Sequence, residues 1–146
     1  MCASSTAMTE FLTDNAPDPL GAYPHARTVG GFLFLSGIGP RQPGTGEIPG
    51  NRYGEHGELK GYDISAQCRA VFNNARIILE NAGARWEDLV DVTVFLTNMD
   101  RDFKVFNRVY SEYFTTNRPC RTTVEVGALP TPIAIELKCT AFVGQE

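Results

Sequence analysis

The longest regular pattern in the chain is a set of apolar residues that recur at spacings of three and four. This spacing places them on one side of an α-helix, so it predicts a helix over Asp63–Ala82. Asp63 is suited to cap the start of this helix, and Gly83 to end it in a left-handed conformation. The apolar positions are Ile64, Cys68, Val71, Phe72, Ala75, Ile78, Leu79 and Ala82.

A second helix is predicted over Arg101–Phe114, and Pro119 prevents it from continuing. Its large apolar residues share one side and are Phe103, Phe106, Tyr110 and Tyr113. Between the two helices, Leu89–Thr97 alternates between apolar and polar positions with a period of two, which predicts a strand.

Two short segments near the N-terminus, Ala22–Thr28 and Phe32–Ser36, flank Gly30 and Gly31. Two glycines between extended segments are typical of a β-hairpin turn. The following segment, Gly39–Tyr62, is rich in Gly and Pro and is predicted to be a loop. Compact domains seldom contain such a long loop without a functional reason.

The last third of the chain contains two more alternating segments, Arg121–Gly127 and Ile133–Val143, separated by a short loop. This arrangement predicts a second hairpin. Direct pairing of the two strands places Thr123 opposite Glu136 and makes Arg121 a diagonal neighbour of Glu136 on one face.

The two predicted strands each have an apolar and a polar face. The apolar face of the first is formed by Thr122, Val124 and Val126. Arg121, Thr123 and Glu125 then point the other way. In the second strand Glu136 and Lys138 lie on the polar face, with Lys138 opposite Arg121.

This order of elements predicts a single α+β domain, in which a mixed sheet carries two helices on one face. Residues 1–14 begin with small polar side chains and are predicted to be a flexible N-terminus, which leaves 15–146 as the domain. The other sheet face mixes Arg, Thr and Glu with apolar residues. We therefore expect that face to form an oligomer interface that contains binding sites.

Length and composition support one globular domain, because 42% of the 146 residues are hydrophobic and 21% are charged. The net charge of −4 argues against nucleic acid as a partner, since phosphate binding usually needs a basic surface. No apolar run has the length of a membrane span, and the first 26 residues lack the Lys and Arg of a targeting signal. These features predict a cytoplasmic protein that does not bind membranes.

The four cysteines are far apart in the sequence, and no His spacing accompanies them that would suit a metal. They are predicted to be reduced thiols, and Cys68 lies on the apolar side of the first helix, as a core residue does. The sequence therefore predicts no bound metal. The cysteines are Cys2, Cys68, Cys120 and Cys139.

Arg121, Thr123 and Glu136 form the candidate catalytic group. An Arg binds a carboxylate with two hydrogen bonds, a hydroxyl donates or accepts one, and a carboxylate holds or activates water. The alternative is a solvated ion pair on an exposed sheet face, which usually has no chemical role.

Several other polar positions have two interpretations each. Ser36 and Gly37, at the end of a predicted strand, form either an anion-binding turn or a structural turn. Asn107 is either a surface residue of the second helix or a donor to the site. Arg41 and His56, in the long loop, either contact a ligand or are solvated.

The segment Pro119–Val126, followed by Leu129-Pro130 and Ile135-Glu136, resembles the C-terminal signature of the RidA (YjgF-like) family. Further segments resemble the family in the same order along the chain: Asn15–Pro17, Gly21–Tyr23, Leu35–Gly37, Gly44–Glu47 and Val92–Thr97. The resemblance covers residues 13 to 144.

The resemblance implies a fold like that of the small trimeric chorismate mutases, assembled as a homotrimer with active sites in the clefts between subunits. It implies hydrolysis of enamines and imines with release of ammonia and without a cofactor. By position, Arg121 would bind the substrate carboxylate and Glu136 would hold the attacking water. The substrate-binding positions would be Tyr23, Ser36, Gly37, Asn107 and Thr123.

Two departures from the common family pattern refine this expectation. Thr123 stands where many members have Cys, which excludes thiol chemistry at that position. Residues 50–62 lengthen the loop before the first helix, and together with Gly61–Ile64 and Leu129–Ala134 this resembles the 2-aminomuconate deaminase branch. That branch hydrolyses 2-aminomuconate to 4-oxalocrotonate and ammonia in the catabolism of aromatic compounds or tryptophan.

A dicarboxylate substrate needs a second cation, and Arg41, Arg52 and His56 in the long loop are the alternatives. Two other functions are compatible with the same fold. One is a general 2-imino acid and enamine deaminase, and the other is a non-catalytic module that senses a carboxylate ligand. Ribonuclease activity is disfavoured by the acidic charge balance.

Overall fold

The computed structural model describes residues 8–144, which form a mixed sheet with two helices packed on one face. The strands of the main sheet are β1 (Met8–Phe11), β2 (Ala26–Val29), β3 (Phe32–Leu35), β6 (Leu89–Leu96), β7 (Cys120–Glu125) and β8 (Ile135–Phe142). The small strands β4 (Arg52–Tyr53) and β5 (Leu59–Gly61) pair separately, and the helices are α1 (Ile64–Asn81) and α2 (Met99–Tyr113). The predicted fold class is confirmed.

The order of strands in the main sheet is β1-β2-β3-β8-β6-β7. All neighbours are antiparallel except β6 and β7, which are parallel and are joined through α2. Consequently β6 and β8 are central strands, whereas β7 lies at one edge of the sheet.

The two helices begin and end close to their predicted positions. Asp63 caps α1, since its side chain accepts hydrogen bonds from two backbone N–H groups of the first turn. Gly83 follows the helix with a φ of 77°, a left-handed conformation that favours glycine. The helix α2 starts at Met99, two residues earlier than predicted, because the Asn98 side chain accepts a hydrogen bond from the Arg101 N–H.

The core lies between the helices and the sheet. Phe72 of α1 and Phe106 of α2 are fully buried, and Cys68 is buried as predicted. Trp86, just after α1, donates from its indole nitrogen to the Tyr113 carbonyl at 2.8 Å. Within residues 8–144, no helix has the length and hydropathy needed to span a membrane.

The first predicted hairpin is confirmed, with β2 and β3 pairing across Gly30, whose φ is 60°. The segment 1–14, predicted to be a flexible N-terminus, includes Met8–Phe11, which forms the edge strand β1 against β2. Main-chain pairing and partial burial of Phe11 hold Met8–Phe11 in the sheet. Residues 1–7 lie outside the described residues.

The long segment before α1 is not entirely a loop, because it contains the small β4–β5 hairpin. Side chains attach it to the rest of the domain. Asn51 donates to the Pro132 carbonyl at 2.9 Å and accepts from Gln67 at 2.7 Å. Tyr62 donates to the buried Asp102 carboxylate at 2.6 Å, and burial is the main cause that raises the pKa of Tyr62.

The second predicted hairpin is wrong, because β6 lies between β7 and β8. Thr123 pairs with Val94 and Arg121 with Val92, whereas Glu136 pairs with Phe95. The physical reason is burial. Half of the β8 residues are almost fully buried, which favours a central strand, whereas β7 has no fully buried residue and suits an edge.

The predicted faces of β7 are also reversed. Arg121 and Thr123 share the face of their partners Val92 and Val94, which are buried beneath the helices. Val124, assigned to the apolar face, lies on the face without helices and is exposed. An edge strand is only partly covered by α2, so a long polar side chain on its helix face can still reach solvent.

Candidate active site

Arg121 is held by α2 through one hydrogen bond and three aromatic rings. Its Nη1 donates to Asn107 Oδ1 at 2.9 Å. The guanidinium carbon lies 4.6 Å from the ring centre of Tyr110, 5.2 Å from that of Phe106 and 6.0 Å from that of Phe103. The aromatic faces attract the cation and fix its position without neutralising it.

No carboxylate pairs with Arg121 within residues 8–144. Together with Asn107 and Tyr110 it lines an open cleft between α2 and the start of β7. A half-buried guanidinium with unused N–H groups and no counter-charge can bind an anion, and its planar geometry suits a carboxylate.

Glu136 lies in the middle of the sheet, on the face without helices. The strand β8 places its side chain against Gly37, which follows β3. The carboxylate is half-buried and makes no ion pair or hydrogen bond within the described chain, and burial raises its pKa above the usual Glu value. A raised pKa brings this carboxylate closer to neutral pH, where a general base is most effective.

Gly37 lets the Glu136 carboxylate approach the backbone closely. A Cβ on Gly37 would lie 3.0 Å from Glu136 Oε2 and 3.2 Å from its Cδ, which is closer than side chains normally pack. The neighbouring Ile38 N–H donates to the Leu137 carbonyl at 2.8 Å, which ties this turn to β8. The backbone of Gly37 therefore lies directly against the Glu136 carboxylate.

Tyr23 and Ser36 lie in a small cleft next to Gly37, between residues 17–25 and 36–41. The Ser36 hydroxyl donates to the Pro24 carbonyl at 2.6 Å, so it fixes the segment that carries Tyr23. The Tyr23 hydroxyl accepts from the Leu20 N–H at 3.0 Å, and its own proton remains available for a ligand.

A buried histidine holds the outer wall of this cleft. His25 Nε2 lies 2.7 Å from the Pro17 carbonyl, and Nδ1 accepts from the Thr13 N–H at 3.2 Å. With Nδ1 accepting, Nε2 is the ring nitrogen that faces the Pro17 carbonyl as a donor. His25 is therefore a structural residue that positions the cleft.

Thr123 lies on the same face as Arg121, two residues further along β7. Its Oγ1 is buried and has no hydrogen-bond partner within the described residues, and the same is true of the Tyr110 hydroxyl. In the single chain, Thr123 thus contributes a spare hydroxyl beneath α2 and does not line the cleft of Arg121.

The predicted site residues form two groups within one chain. Arg121, Asn107 and Thr123 lie on the helix side of the edge strand, whereas Glu136 and Gly37 lie on the opposite face. The strands β7 and β8 are two strand spacings, or about 10 Å, apart. The side chains of Arg121 and Glu136 are also separated by the thickness of the sheet. The single predicted cluster of Arg121 and Glu136 on one face is therefore wrong.

The sheet face of Glu136 also carries exposed aromatic residues. Phe32, Phe34 and Phe142 are 44%, 42% and 45% exposed, and the rings of Phe32 and Phe142 are 5.2 Å apart. Lys138 lies beside them and donates to the Leu35 carbonyl. Such an apolar patch with polar residues around it is typical of a protein interface.

Sequence reasoning did not identify the aromatic rings around Arg121 as part of the site. Phe103, Phe106 and Tyr110 recur at helical spacing, which predicts only that they share one side of α2. The signal that could identify them is the strand that follows this helix, because it contains Arg121, and a cation beside aromatic rings forms cation–π contacts. Asn74 was also missed, although its buried amide donates to both the Gly39 and Arg41 carbonyls.

Within residues 8–144, no group of three His, Cys, Asp or Glu side chains is arranged to hold a metal ion. Cys68, Cys120 and Cys139 are free thiols, and Cys2 lies outside the described residues. Burial raises the pKa of Cys68 and of Cys139 to about 12, so neither is a thiolate at neutral pH.

Comparison with known proteins relates this arrangement to one family. Residues 13–143 match the family described as Endoribonuclease L-PSP. A RutC family protein of Pyrococcus abyssi is 43% identical over 132 residues, which cover 90% of this chain and 94% of that protein. The 2-iminobutanoate/2-iminopropanoate deaminase of Escherichia coli is 34% identical over 134 residues, covering 90% and 94%.

The crystal structure of the Escherichia coli YjgF gene product has the same architecture. It superimposes with a TM-score of 0.79 at 33% sequence identity, covering 92% of this chain and 98% of that one.

Proposed function

Because the chain belongs to the Endoribonuclease L-PSP family, which includes the RidA and YjgF proteins, we propose that it is a deaminase of enamines and imines. Its proposed substrate is 2-aminomuconate, which it hydrolyses to 4-oxalocrotonate and ammonia in the catabolism of aromatic compounds or tryptophan. The insertion at residues 50–62 and the flanking motifs support this substrate, since they resemble the corresponding branch.

The observation that carries the proposal is the unpaired Arg121 guanidinium. A cation that is held by aromatic rings and one amide, with no acidic partner in the described chain, stabilises a bound anion. The carboxylate next to the amine of 2-aminomuconate is an anion of the correct shape. Asn107 then orients the guanidinium, because its Oδ1 accepts one of the N–H groups.

We further propose that the complete site forms between two copies of the chain, in a homotrimer. Arg121 and Glu136 point to opposite faces of the sheet, so one substrate cannot contact both within a single chain. An edge strand that presents Arg121 can dock against the open face of a neighbour that presents Glu136 and Gly37. The exposed aromatic residues on that face support the same arrangement.

The reaction requires one proton transfer to carbon and one addition of water. Protonation of the enamine carbon gives a cationic iminium, and the ionised Glu136 accepts a proton from water as its oxygen attacks the iminium carbon. Glu136 then gives this proton to the amino nitrogen of the resulting amino alcohol. The C–N bond breaks, ammonia leaves, and the hydroxyl loses its proton to give the 2-oxo group, which restores the proton used in the first step. The negative charge of Glu136 also stabilises the cationic iminium.

The proposed mechanism uses no metal or organic cofactor. Arg121 binds and orients the substrate, Glu136 activates water, and the Gly37 N–H and the Tyr23 hydroxyl are donors for the developing alcohol oxygen or the second carboxylate. The family's name refers to ribonuclease activity, but the net charge of −4 makes a nucleic-acid substrate unfavourable.

A general 2-imino acid deaminase is the second candidate, because the related Escherichia coli protein carries the name of such an activity. A small monocarboxylate imine needs only Arg121 and Glu136. The distal carboxylate of 2-aminomuconate is therefore the chemical difference that separates the two candidates.

Ammonia release by the purified protein tests these alternatives. With chelator present, the proposal predicts a higher kcat/KM for 2-aminomuconate than for 2-iminobutanoate generated in the assay. The opposite preference would assign the chain to general imine deamination. Ligand binding without ammonia release from either substrate would contradict the enzyme and support a carboxylate-sensing module.

A further inference from the structure

A second unpaired arginine lies in the cleft next to Gly37. Arg41 lines this cleft together with Tyr23, Ser36 and Gly37, and its side chain is half-buried. Its Nη2 donates to the Asp18 carbonyl at 2.9 Å. No carboxylate pairs with it in the part of the chain that the structure describes.

The backbone at Arg41 is rigidly held. The Asn74 side chain, only 2% exposed, donates to the Gly39 carbonyl at 2.9 Å and to the Arg41 carbonyl at 2.8 Å. A buried amide with two such bonds fixes the segment that follows β3 against α1. Arg41 is thus a positioned cation, and its remaining N–H groups are available to a ligand.

The other two cations of the long segment are placed differently. Arg52 lies in the exposed β4–β5 hairpin, where its charge acts on Asp63 at the start of α1. His56 lies at the turn of the same hairpin, and its backbone N–H donates to Glu58. Neither residue lines the cleft that contains Gly37.

We propose that Arg41 binds the distal carboxylate of a dicarboxylate substrate and thereby determines its selection over monocarboxylates. This inference rests on the proposed deaminase function. In the composite site, Arg121 of one copy binds the carboxylate next to the amine, and Glu136 of the next copy acts on the carbon that bears the amine. In that second copy Arg41 lines the cleft that also contains Gly37, and Gly37 lies against Glu136, so Arg41 is the cation available to the far end of an extended substrate.

Binding of two unreactive analogues isolates the role of Arg41. Muconate and sorbate share the same six-carbon diene, but muconate has a second carboxylate where sorbate has a methyl group. Calorimetry on the intact protein should show muconate binding about 10- to 100-fold more tightly, which is typical of one charge-assisted pair in a partly desolvated site.

The variant Arg41→Met keeps the aliphatic stem and removes the charge. It should bind muconate and sorbate with similar affinity, while its affinity for sorbate stays that of the wild type. Arg41→Lys should restore part of the preference for muconate. The variants Arg52→Met and His56→Gln are matched controls in the same segment and should retain the wild-type ratio. Equal affinities for both analogues in the wild type, or equal losses for both in Arg41→Met, would overturn the inference.

The same variants separate this inference from the proposed function. If the wild type releases ammonia from imines but Arg41→Met has unchanged kcat/KM for 2-aminomuconate, Arg41 does not select the substrate although the enzyme is correctly assigned. If muconate selectivity depends on Arg41 but no substrate is deaminated, the binding site is correct and the proposed reaction is wrong.

Discussion

Burial of the Glu136 carboxylate has a cost in stability and, in the proposed mechanism, an advantage for catalysis. Burial raises its pKa, and a carboxyl with a raised pKa stabilises the fold while protonated but loses that contribution as the pH rises through the folded-state value. Near pH 7 the ionised group therefore opposes folding. Such a cost is retained when the charged group has a role in function.

Glu136→Gln should separate stability from catalysis. Because the amide removes a charge that burial disfavours, the melting temperature at pH 7 should equal or exceed that of the wild type. The loss of the base should lower kcat by roughly 10²–10⁴-fold. In the wild type, kcat/KM should decrease as the pH is lowered. The midpoint of this decrease should lie above about 4.3, the ordinary Glu pKa. A variant that melts lower but retains full turnover would contradict both roles.

Arg121 should contribute mainly to substrate binding. Removing a buried charge-assisted contact typically costs about 2–5 kcal/mol, so Arg121→Ala should lower kcat/KM by more than tenfold. Arg121→Lys should recover little, because an ammonium lacks the two parallel donors of the guanidinium. Steady-state kinetics measure both effects. Unchanged kcat/KM in a correctly assembled Arg121→Ala protein would show that the carboxylate binds elsewhere.

The aromatic side of α2 contacts Arg121 as well as the core. The Tyr110 ring lies closest to the Arg121 guanidinium, and its buried hydroxyl has no partner within residues 8–144. The ring and the hydroxyl can therefore be tested separately. Burial raises the pKa of Tyr110 to about 12, so the phenol stays neutral at any working pH.

Tyr110→Leu should raise KM more than it lowers kcat. Loss of the ring removes a cation–π contact of about 1–2 kcal/mol, which corresponds to roughly a fivefold to thirtyfold change in binding. Tyr110→Phe is the matched control and should bind substrate like the wild type, because it keeps the ring and removes only an unpaired hydroxyl. Equal kinetics for the two variants would contradict a role of the ring.

The elements with helical periodicity were predictable from the sequence, whereas strand pairing was not. Spacings of three and four identify α1 and α2 because a helix buries one side through local geometry. Alternation in β7 and β8 indicates two strands, but it contains no information about which strand lies between them, and it assigned the faces of β7 the wrong way round. The parallel β6–α2–β7 connection decides that order, and it depends on packing over the whole sheet.

The same limit applies to the candidate site. Arg121 and Glu136 were identified from their chemistry and from a family resemblance, and the pocket around Gly37 from the motif that contains it. Their placement on opposite faces depends on β6, so no local pattern could predict it. The ring contacts of Arg121 and the hydrogen bonds of Asn74 depend likewise on tertiary packing.

Assembly is the property of the molecule on which the proposed site depends. The open sheet face exposes Phe32, Phe34 and Phe142, and a stable monomer would leave this patch in water. Light scattering should therefore give a mass near three chains at micromolar concentration. Phe32→Lys should weaken the assembly and reduce activity together, whereas a monomer with full activity would contradict a shared site.

Mixing two inactive variants tests the composite site most directly. Arg121→Ala and Glu136→Gln copies, refolded together in equal amounts, form trimers in which some sites combine an intact Arg121 with an intact Glu136 from the neighbouring copy. About a quarter of the sites should be complete, so about a quarter of wild-type ammonia release should return. Each variant refolded alone is the control. No recovery in verified mixed trimers would place both residues of a working site in one chain and contradict the account.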